Sequence, residues 1–260
     1  MDRVRPKKFL GQHFLKDATI AGRIADTIDN FANLPVVEVG PGMGVLTQFL
    51  IEKPNPLTVV EIDRDSVPYL HKHFPQLHGN IIEGDFLELD LSQLFNSRFC
   101  VIGNYPYNIS SQILFKVLDY KDQVACCSGM FQKEVAERIA AKPGGKTYGI
   151  LSVLLQAWYN IEYLFTVDEN VFDPPPKVKS AVIRMVRNER TTLSCDEKLF
   201  KTVVKTSFSQ RRKMLRGSLR SLLGKDNPIY SEPVFSQRPE RLSVADFEAL
   251  TNMVAEHMPK

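Results

Sequence analysis

Long hydrophobic runs and paired cysteines are what this 260-residue sequence lacks. No apolar stretch reaches the roughly 18 residues that a membrane-spanning helix needs, and the N-terminal segment MDRVRPKKFLGQHFL has no signal-peptide core. None of the four cysteines has CxxC spacing, and three of them lie in apolar runs, which favours buried thiols in a reducing compartment. These absences predict a cytoplasmic protein with no membrane contact and no metal site.

Basic residues are unevenly distributed along the chain, although the formal net charge is only +3. Between Arg184 and Lys225, twelve Lys or Arg residues stand against three Asp or Glu residues. A basic region beside a near-neutral one predicts a polyanionic partner, although a charge run is also typical of a solvated surface that binds nothing. The N-terminal tail adds four more cations, Arg3, Arg5, Lys7 and Lys8.

The first two-thirds of the chain alternates short apolar runs with helical patterns. Most of the runs are apolar throughout, as expected of strands buried on both faces of a parallel sheet. Helical patterns begin at Ser110 and cover residues 133–141. This alternation predicts a doubly wound α/β domain. The predicted strands are VVEVG (36–40), TVVEID (58–63), NIIEGD (80–85), FCVIG (99–103) and VACCSGMF (124–131), with two later strands near 158–167 and 179–187.

In the C-terminal quarter, after the polar linker RNERTTLSCDE, the apolar residues follow helical spacing and no further strands are predicted. Leu215, Leu219 and Leu222 fall on one face of a predicted helix. Ser243 and Asp246 have the spacing of a capping box at the start of a last helix. We therefore predict a larger α/β domain and a small helical one. The predicted domains are residues 1–189 and residues 190–260.

A glycine-rich turn follows the first predicted strand, in VVEVGPGMGVLT (36–47). Glycines at such a turn let the backbone approach a ligand at a helix N-terminus, so Gly40 and Gly42 are candidate cofactor-binding residues. A dinucleotide fold would need a third glycine at position 45, which is Val45 here. The GxGxG rhythm after Glu38 instead resembles the first motif of S-adenosylmethionine (SAM) methyltransferases, although such turns also serve packing alone.

Acidic residues end the next two predicted strands. Glu61 lies about seventeen residues beyond the glycine turn, where a carboxylate can accept both hydroxyls of a ribose. Asp85 ends the following strand and could accept from the exocyclic amine of an adenine, with Phe86 as an apolar neighbour. Either acid alone could simply cap a helix. Three successive strand ends that suit an adenosyl ligand favour a cofactor site at the carboxyl edge of the sheet.

The segment NYPYN follows the fourth predicted strand and therefore opens into the same crevice. An exocyclic amine of a base is a poor nucleophile while its lone pair is delocalised into the ring. Two acceptors can hold both N–H bonds and turn the lone pair toward a methyl group, namely the side-chain carbonyl of Asn104 and a backbone carbonyl fixed by Pro106. Tyr107 offers a stacking face worth about 1–3 kcal/mol per base. The alternative is a simple type I turn.

These segments together resemble the KsgA family of small-subunit rRNA adenine dimethyltransferases. NYPYNISS is similar to the amino-methyltransferase motif N-L-P-Y-N, with Tyr105 in the place of the usual leucine. The resemblance covers nearly the whole chain in order. Its segments are FLGQHFL (9–15), VEVGPGMGVLT (37–47), VVEID (59–63), EGDFL (83–87), NYPYNISS (104–111), FQKEVAERI (131–139), KTYGILSVLLQ (146–156), VFDPPPKVKSAV (171–182) and FSQRRKMLRGSL (208–219).

The resemblance implies a Rossmann-like SAM-dependent methyltransferase sheet with a small C-terminal all-helical domain. It also implies that Phe172 forms the second wall of a base pocket opposite Tyr107, although Phe172 by itself fits an ordinary core position. The SAM contacts that it implies are His13, Leu15, Gly40, Glu61, Asp85 and Asn104. The basic residues expected to hold RNA are Arg211, Arg212, Lys213, Arg216 and Arg220.

The family acts on two adjacent adenines in the 3′-terminal hairpin loop of small-subunit rRNA, each dimethylated at N6. We therefore expect a monomer that acts on 16S rRNA within the immature 30S subunit.

One rival is the resistance dimethyltransferase of large-subunit rRNA, which shares the SAM loop. A second is an RNA-binding ribosome-assembly factor with little or no catalysis, which would have no need of Glu61, Asp85 and Asn104. A nicotinamide dehydrogenase is disfavoured by Val45.

Overall fold

The computed structural model describes residues 4–259, so Arg3 of the basic tail lies outside the described residues. The chain is divided between two compact units. The predicted division at residues 189 and 190 stays a prediction, and the observed units differ from it by placing residues 137–159 with the C-terminal helices. The first unit comprises Met1–Ala136 and Asn160–Arg187, and the second comprises Glu137–Tyr159 and Asn188–Lys260.

A seven-stranded mixed sheet forms the centre of the first unit, in the order β4-β3-β2-β5-β6-β9-β7. The pairs β2–β3, β3–β4, β2–β5 and β5–β6 are parallel, and β9 is antiparallel to β6. These strands are β2 (Val36–Val39), β3 (Leu57–Glu61), β4 (Ile81–Glu83), β5 (Phe99–Asn104), β6 (Val124–Gln132), β7 (Tyr159–Val167) and β9 (Ser180–Arg187). A second, two-stranded sheet pairs β1 (Phe14–Leu15) with β8 (Phe172–Asp173). The doubly wound α/β prediction is confirmed.

Ten α-helices lie within the described residues. They are α1 (Ala18–Ala25), α2 (Thr47–Leu50), α3 (Ser66–His73), α4 (Ser110–Asp119), α5 (Lys133–Ala140), α6 (Ile150–Gln156), α7 (Glu197–Ser209), α8 (Leu215–Ser218), α9 (Arg220–Leu223) and α10 (Val244–His257). Short 3-10 turns add Lys8–Leu10, Asp26–Phe31, Pro75–Leu77, Leu91–Gln93, Glu169–Val171, Pro228–Ser231, Pro233–Ser236 and Pro239–Arg241. Within residues 4–259, no helix has the length and hydropathy to cross a membrane.

The central strands β2 and β5 are largely apolar because both of their faces are buried. All four residues of β2 are buried, and so are the first five of β5. Cys100, Cys126 and Cys127 are buried free thiols within this core, whereas Cys195 is half-buried. The strand order changes direction at β2, which has β3 on one side and β5 on the other. Folds of this type bind ligands beyond the carboxyl ends of the strands at such a point.

The second unit packs its helices around aromatic and aliphatic side chains. The predicted capping box of α10 is confirmed, since Ser243 Oγ and Asp246 each bond the other's backbone N–H. Residues 137–159 join this unit through contacts such as Tyr148 with Phe208, whose ring centroids lie 6.3 Å apart. The prediction of one helix with Leu215, Leu219 and Leu222 on the same face was wrong, because the segment breaks at Leu219 into α8 and α9. Leu222 is consequently only half-buried.

Candidate active site

Gly40 and Gly42, two of the three glycines with positive φ in the turn after β2, have backbone angles that side chains rarely adopt. Gly40 has φ +68° and Gly42 has φ +56°, in the left-handed region where only glycine is free of steric cost. A Cβ at Gly42 would lie 2.9 Å from the Phe14 ring, whereas a Cβ at Gly40 would meet nothing within 4 Å. The sequence therefore needs glycine at both positions to bring the bare backbone to the edge of a cavity.

That cavity, which we call the glycine-loop cavity, lies beyond the carboxyl ends of β2, β3 and β5. It contains about 510 Å³ of empty space, which includes space open to solvent. Seven of the predicted site residues line it together. They are His13, Gly40, Gly42, Glu61, Asn104, Pro106 and Tyr107, joined by Leu10, Gly11, Gln12, Phe14, Ile62 and Tyr105.

Glu61 is fixed at this cavity by two backbone donors. The Gly42 N–H donates to Glu61 Oε2 at 2.9 Å, and the Asp63 N–H donates to Oε1 at 2.8 Å. Burial raises the pKa of Glu61, and the backbone N–H groups of Asp63 and Gly42 oppose that rise. Each carboxylate oxygen has a second lone pair, so Glu61 can still accept from the hydroxyls of a ribose.

Ile62, next to this carboxylate, is a site residue that the sequence patterns did not single out. Its side chain is 47% exposed although it is large and apolar, and it lines the glycine-loop cavity. A flat apolar ring such as a purine could cover it. The bare glycine backbone, the ribose acceptor and this apolar surface together fit SAM.

Glu38, at the end of β2, is a buried carboxyl that accepts a hydrogen bond from Thr47 Oγ1 at 2.7 Å. Burial raises the pKa of Glu38 to about 8, the Thr47 hydrogen bond opposes the rise, and the charge of Glu61 adds to it. A carboxyl with this pKa is mostly protonated at neutral pH. The neutral side chain therefore supports the glycine turn without placing a second negative charge beside Glu61.

The N-terminal strap, residues 7–13, is tied to the segment that follows Glu61. Gln12 Nε2 donates to Asp63 Oδ2 at 2.9 Å, and Lys7 Nζ forms ion pairs with Asp63 and, at 2.7 Å, with Asp65. Burial alone would raise the pKa of Asp63, but the hydrogen bonds from Gln12 and Lys7 outweigh it and hold that pKa below its usual range. The strap is therefore a wall of the cavity that polar contacts fix in place.

Asn104 has its side-chain amide oriented by this strap. Asn104 Nδ2 donates to the backbone carbonyl of His13 at 3.0 Å. The nitrogen is therefore engaged by the strap, and the side-chain oxygen Oδ1 remains as an acceptor at the cavity. This is the group that the sequence assigns to holding an amine.

Tyr107 and His13 mark the border between the glycine-loop cavity and a second one. Their rings stack with centroids 5.2 Å apart and planes 28° apart. His13 Nδ1 bonds the Pro174 carbonyl at 2.7 Å, and the Tyr107 hydroxyl bonds Ser180 Oγ. Burial raises the pKa of Tyr107, and the Ser180 bond opposes it. Both rings are thus held at the junction by polar contacts.

The second cavity, which we call the proline cavity, contains about 1200 Å³ of empty space. It shares Gly11, Gln12, His13 and Tyr107 with the glycine-loop cavity, so the two are adjacent. Gln132, at the end of β6, also lines it, and its amide has no hydrogen-bond partner within the described part of the chain. The remaining lining residues are Pro6, Lys8, Asn108, Pro174, Pro175, Pro176, Lys177 and Val178.

Three predicted site residues do not line either cavity. Asp85 is half-buried, and its Oδ1 accepts from the Leu87 N–H at 2.8 Å, so it caps the turn that follows β4. Leu15 and Phe172 pair in the small sheet, and both are buried in the main core, Phe172 with no exposed surface. The ring of Phe172 is therefore not a wall of the base pocket in this conformation, because backbone pairing with β1 turns it into the core.

The predicted RNA-binding side chains lie at the surface of the second unit. Arg212, Lys213, Arg216 and Arg220 are exposed, whereas Arg211 is half-buried and donates to the Gly145 carbonyl at 3.3 Å. An open groove, which we call the basic groove, brings three of these cations together. It is lined by Gln210, Lys213, Met214, Arg216, Gly217 and Arg220.

Several residues of the site were missed by the sequence patterns. Asp63 lies inside the quoted segment VVEID, but its pairing with Lys7 depends on a contact between distant segments. Gln12 and Gln132 lie inside the quoted segments FLGQHFL and FQKEVAERI, which were the available signal. Ser180 lies inside the quoted segment VFDPPPKVKSAV, but its hydrogen bond with the Tyr107 hydroxyl joins segments that are distant in sequence.

Sequence comparisons give one consistent result. A family model described as "Ribosomal RNA adenine dimethylase" matches residues 3–254. A protein of Parabacteroides distasonis named "Ribosomal RNA small subunit methyltransferase A" is 70% identical over 260 residues, covering 100% of this chain and 98% of the relative. A protein of the same name from Phocaeicola vulgatus is 66% identical over 255 residues, covering 98% and 91%.

Solved structures show the same fold. A dimethyladenosine transferase from Plasmodium falciparum superposes with a TM-score of 0.75 at 24% identity, covering 95% of this chain and 99% of that one. The 23S rRNA methyltransferase ErmE superposes with a TM-score of 0.68 at 25% identity, covering 92% and 99%. The Rossmann-like methyltransferase fold is thereby confirmed.

Proposed function

The chain belongs to the ribosomal RNA adenine dimethylase family, and from that premise we propose that its substrate is a pair of adjacent adenines in the 3′-terminal hairpin loop of 16S rRNA. It is a SAM-dependent rRNA adenine dimethyltransferase. The choice of the small subunit is supported by the relative that shares 70% of its residues and is named a small-subunit methyltransferase. Loop adenines suit this reaction because single-stranded bases cost little to extrude.

The glycine-loop cavity is the proposed SAM site. When bound, SAM supplies a methyl group on a positively charged sulfur. Glu61 would accept from the ribose hydroxyls, and the backbone at Gly40 and Gly42 would lie along the ligand, because all three residues line the cavity. The strap covers the cavity from the side of His13, which limits water at the reacting centre. Leu15 and Asp85 act indirectly, the first by anchoring the strap to β8 and the second by shaping the turn after β4.

The proline cavity is the proposed entrance for the target adenine. Asn104 Oδ1 and a backbone carbonyl beside Pro106 accept the two N–H bonds of the amine, which turns its lone pair toward the methyl group. Tyr107 lies at the border of both cavities and gives the base a stacking face. A strong general base is not required, because the amine becomes acidic as it takes up the methyl group. Positioning therefore provides most of the catalysis.

The orientation of Asn104 is the observation that carries this proposal. Because Nδ2 donates to the His13 carbonyl at 3.0 Å, the acceptor oxygen is left for the substrate. A simple turn would not need an amide held in this way. The same contact links the strap that covers the SAM site to the residue that holds the amine, so cofactor and base sites share one hydrogen bond.

The partner and setting follow from the substrate. We propose that the chain acts as a monomer on 16S rRNA in the immature 30S subunit, in the cytoplasm where bacterial subunits assemble. The basic groove, with Arg211 and Arg212 beside it in the sequence, is proposed to bind rRNA phosphates. Exposed cations that converge on one groove suit a polyanion.

Labelled SAM tests the proposal most simply. The chain is incubated with small subunits that lack the modification and, separately, with large subunits, and nucleosides from the digested rRNA are separated. We expect labelled N6,N6-dimethyladenosine from small subunits only. Label in large-subunit rRNA would favour the resistance-type activity instead. SAM binding by calorimetry, with no label in either rRNA, would favour an assembly factor without catalysis.

A further inference from the structure

We propose that Tyr105 is a positioning residue for methyl transfer, which holds the backbone between Asn104 and Pro106 in the geometry that receives the amine. This inference rests on the proposed function of that segment. Tyr105 stands where the resembling family usually has leucine, so it is a feature of this chain that the family motif does not explain. In the structure, two hydrogen bonds anchor Tyr105, and a space between two strands accommodates its ring. Tyr105 also lies between the two groups proposed to accept the N–H bonds of the amine.

The two anchors both reach strand β6. The backbone N–H of Tyr105 donates to the Met130 carbonyl at 3.1 Å, which continues the pairing of β5 with β6. Its phenol hydroxyl donates to the Ser128 carbonyl at 2.8 Å. The side chain is 1% exposed, and its ring lies 4.5 Å from that of Phe131. Residue 105 is therefore fixed to one strand at both its backbone and the far end of its side chain.

Two facing glycines provide the space for this ring. Gly103 and Gly129 are direct partners in the register of β5 and β6. A Cβ at Gly129 would lie 2.8 Å from the Tyr105 ring and 2.1 Å from the Gly103 carbonyl oxygen, and a Cβ at Gly103 would lie 3.2 Å from the same ring. Any side chain at Gly129 would displace the tyrosine. The pair is thus a slot that admits an aromatic ring across two paired strands.

This anchoring fixes the positions of the groups that accept the N–H bonds of the amine. Asn104 and Pro106 are the immediate neighbours of Tyr105, and the carbonyl that accepts the second N–H belongs to this stretch. A leucine in the slot would fill part of the space but would donate nothing to Ser128. Loss of the hydroxyl would leave the buried Ser128 carbonyl without this donor and let the segment shift, and a shift of about 1 Å at a reacting centre can cost about a hundred-fold in rate.

The test compares Tyr105→Phe with wild type in single-turnover methylation of small subunits that lack the modification. The variant keeps the ring and loses only the hydroxyl. We expect the rate of transfer at saturating subunits and SAM to fall by about ten-fold. The dissociation constant for SAM and the half-saturating subunit concentration should stay within about two-fold, because the substitution removes only a buried hydroxyl that bonds strand β6. Tyr105→Leu should fall further, since it also leaves part of the slot empty.

Tyr230→Phe is the matched control. Tyr230 also donates its hydroxyl to a backbone carbonyl, that of Gly224 at 2.5 Å, but it lies in the other compact unit. Its rate should match wild type. A Tyr105→Phe protein that unfolds at the wild-type temperature and transfers methyl at the wild-type rate would overturn the inference, and so would a loss of rate that SAM affinity fully accounts for. A wild-type chain that methylates neither subunit would instead overturn the proposed function.

Discussion

At the scale of single residues, Glu61 is the group that we propose binds the ribose of the cofactor. It is 2% exposed and already accepts from two backbone N–H groups, so its position does not depend on the ligand. Such preorganisation lowers the ordering cost of binding. The same two bonds tie the glycine turn to the residues after β3, so the ribose acceptor and the glycine backbone move as one piece.

Glu61→Ala should therefore weaken SAM binding by about ten- to a hundred-fold. The physical reason is the loss of charged hydrogen bonds to the ribose, worth about 1.5–3 kcal/mol. Isothermal calorimetry measures the change directly. Glu83→Ala is the control, because Glu83 also ends a strand but is exposed and pairs with Arg64 at 3.6 Å. Equal SAM affinities of the Glu61→Ala and Glu83→Ala variants would show that Glu61 does not bind the ribose.

Glu38 gives the stability of the protein a pH dependence of known sign. Its folded-state pKa is about 8, above the ordinary value of 4.5. Between those two values the folded chain holds a proton that the unfolded chain has released. The free energy of unfolding therefore falls as pH rises through that window, and the loss is complete above the folded pKa.

Glu38→Gln should flatten this decline, because glutamine cannot titrate and can still accept from Thr47. Urea denaturation at several pH values between 5 and 9 gives the two curves. The decline should not vanish, since Glu61 has a pKa raised by burial too and adds a contribution of the same sign. Glu52→Gln, at an exposed carboxylate, should follow wild type. Parallel curves for Glu38→Gln and wild type would show that Glu38 does not hold the proton.

Sequence reasoning succeeded for the residues whose place follows from the backbone. The carboxyl ends of parallel strands meet at one edge, so Gly40, Glu61 and Asn104 could be grouped before the fold was known. It was less successful where side-chain direction depends on tertiary packing. Phe172 points into the core, which an apolar residue of this type also fits, whereas the adenine contact of Asp85, which caps a turn, stays a prediction.

At the scale of elements, the N-terminal strap connects the two halves of the site. It reaches Asp63 through Gln12 and contacts Asn104 and Tyr107 through His13. The two-residue strand β1 then fixes its end to β8. Strands this short carry no detectable pattern, because two residues cannot show alternation. The family resemblance located the strap, and only the structure shows what holds it.

The basic groove allows a prediction for the C-terminal helices. Neutralising Lys213, Arg216 and Arg220 together should weaken binding to small-subunit rRNA and leave SAM binding unchanged. The slope of log affinity against log salt should flatten by up to about 0.7–0.9 per lost phosphate contact, because fewer counterions are released on binding. Titrations at four or five salt concentrations measure this slope.

The control is a variant with exposed cations neutralised in the first unit, at Arg64, Lys72 and Arg98. It changes the net charge by the same amount, so any general effect of charge appears in both variants. A slope that flattens equally in both would mean that the groove is a solvated surface. The break of this segment into α8 and α9 was not predicted, because leucines at helical spacing fit one long helix as well as two short ones.

At the scale of the whole molecule, the fold places the proposed SAM site and the proposed base site in two adjacent cavities that share lining residues. The parallel pairing of the apolar strands was predicted from the apolar runs, whereas the order of the strands was not predicted. The membership of residues 137–159 in the second compact unit could not be predicted, since their helical pattern is compatible with either unit. Periodicity reports which face of a helix is buried and not which partner buries it.

Mapping of the methylated bases is the sharpest test of the proposed reaction. Small subunits that lack the modification are treated with SAM and either wild type or Asn104→Ala, and the rRNA is fragmented and sequenced by mass spectrometry. The account predicts two adjacent N6,N6-dimethyladenosines in the 3′-terminal hairpin loop. With Asn104→Ala it predicts a turnover about a hundred- to a thousand-fold lower, by analogy with loss of one preorganised group elsewhere. Methyl groups at other positions, or near-normal turnover of a folded Asn104→Ala protein, would contradict it.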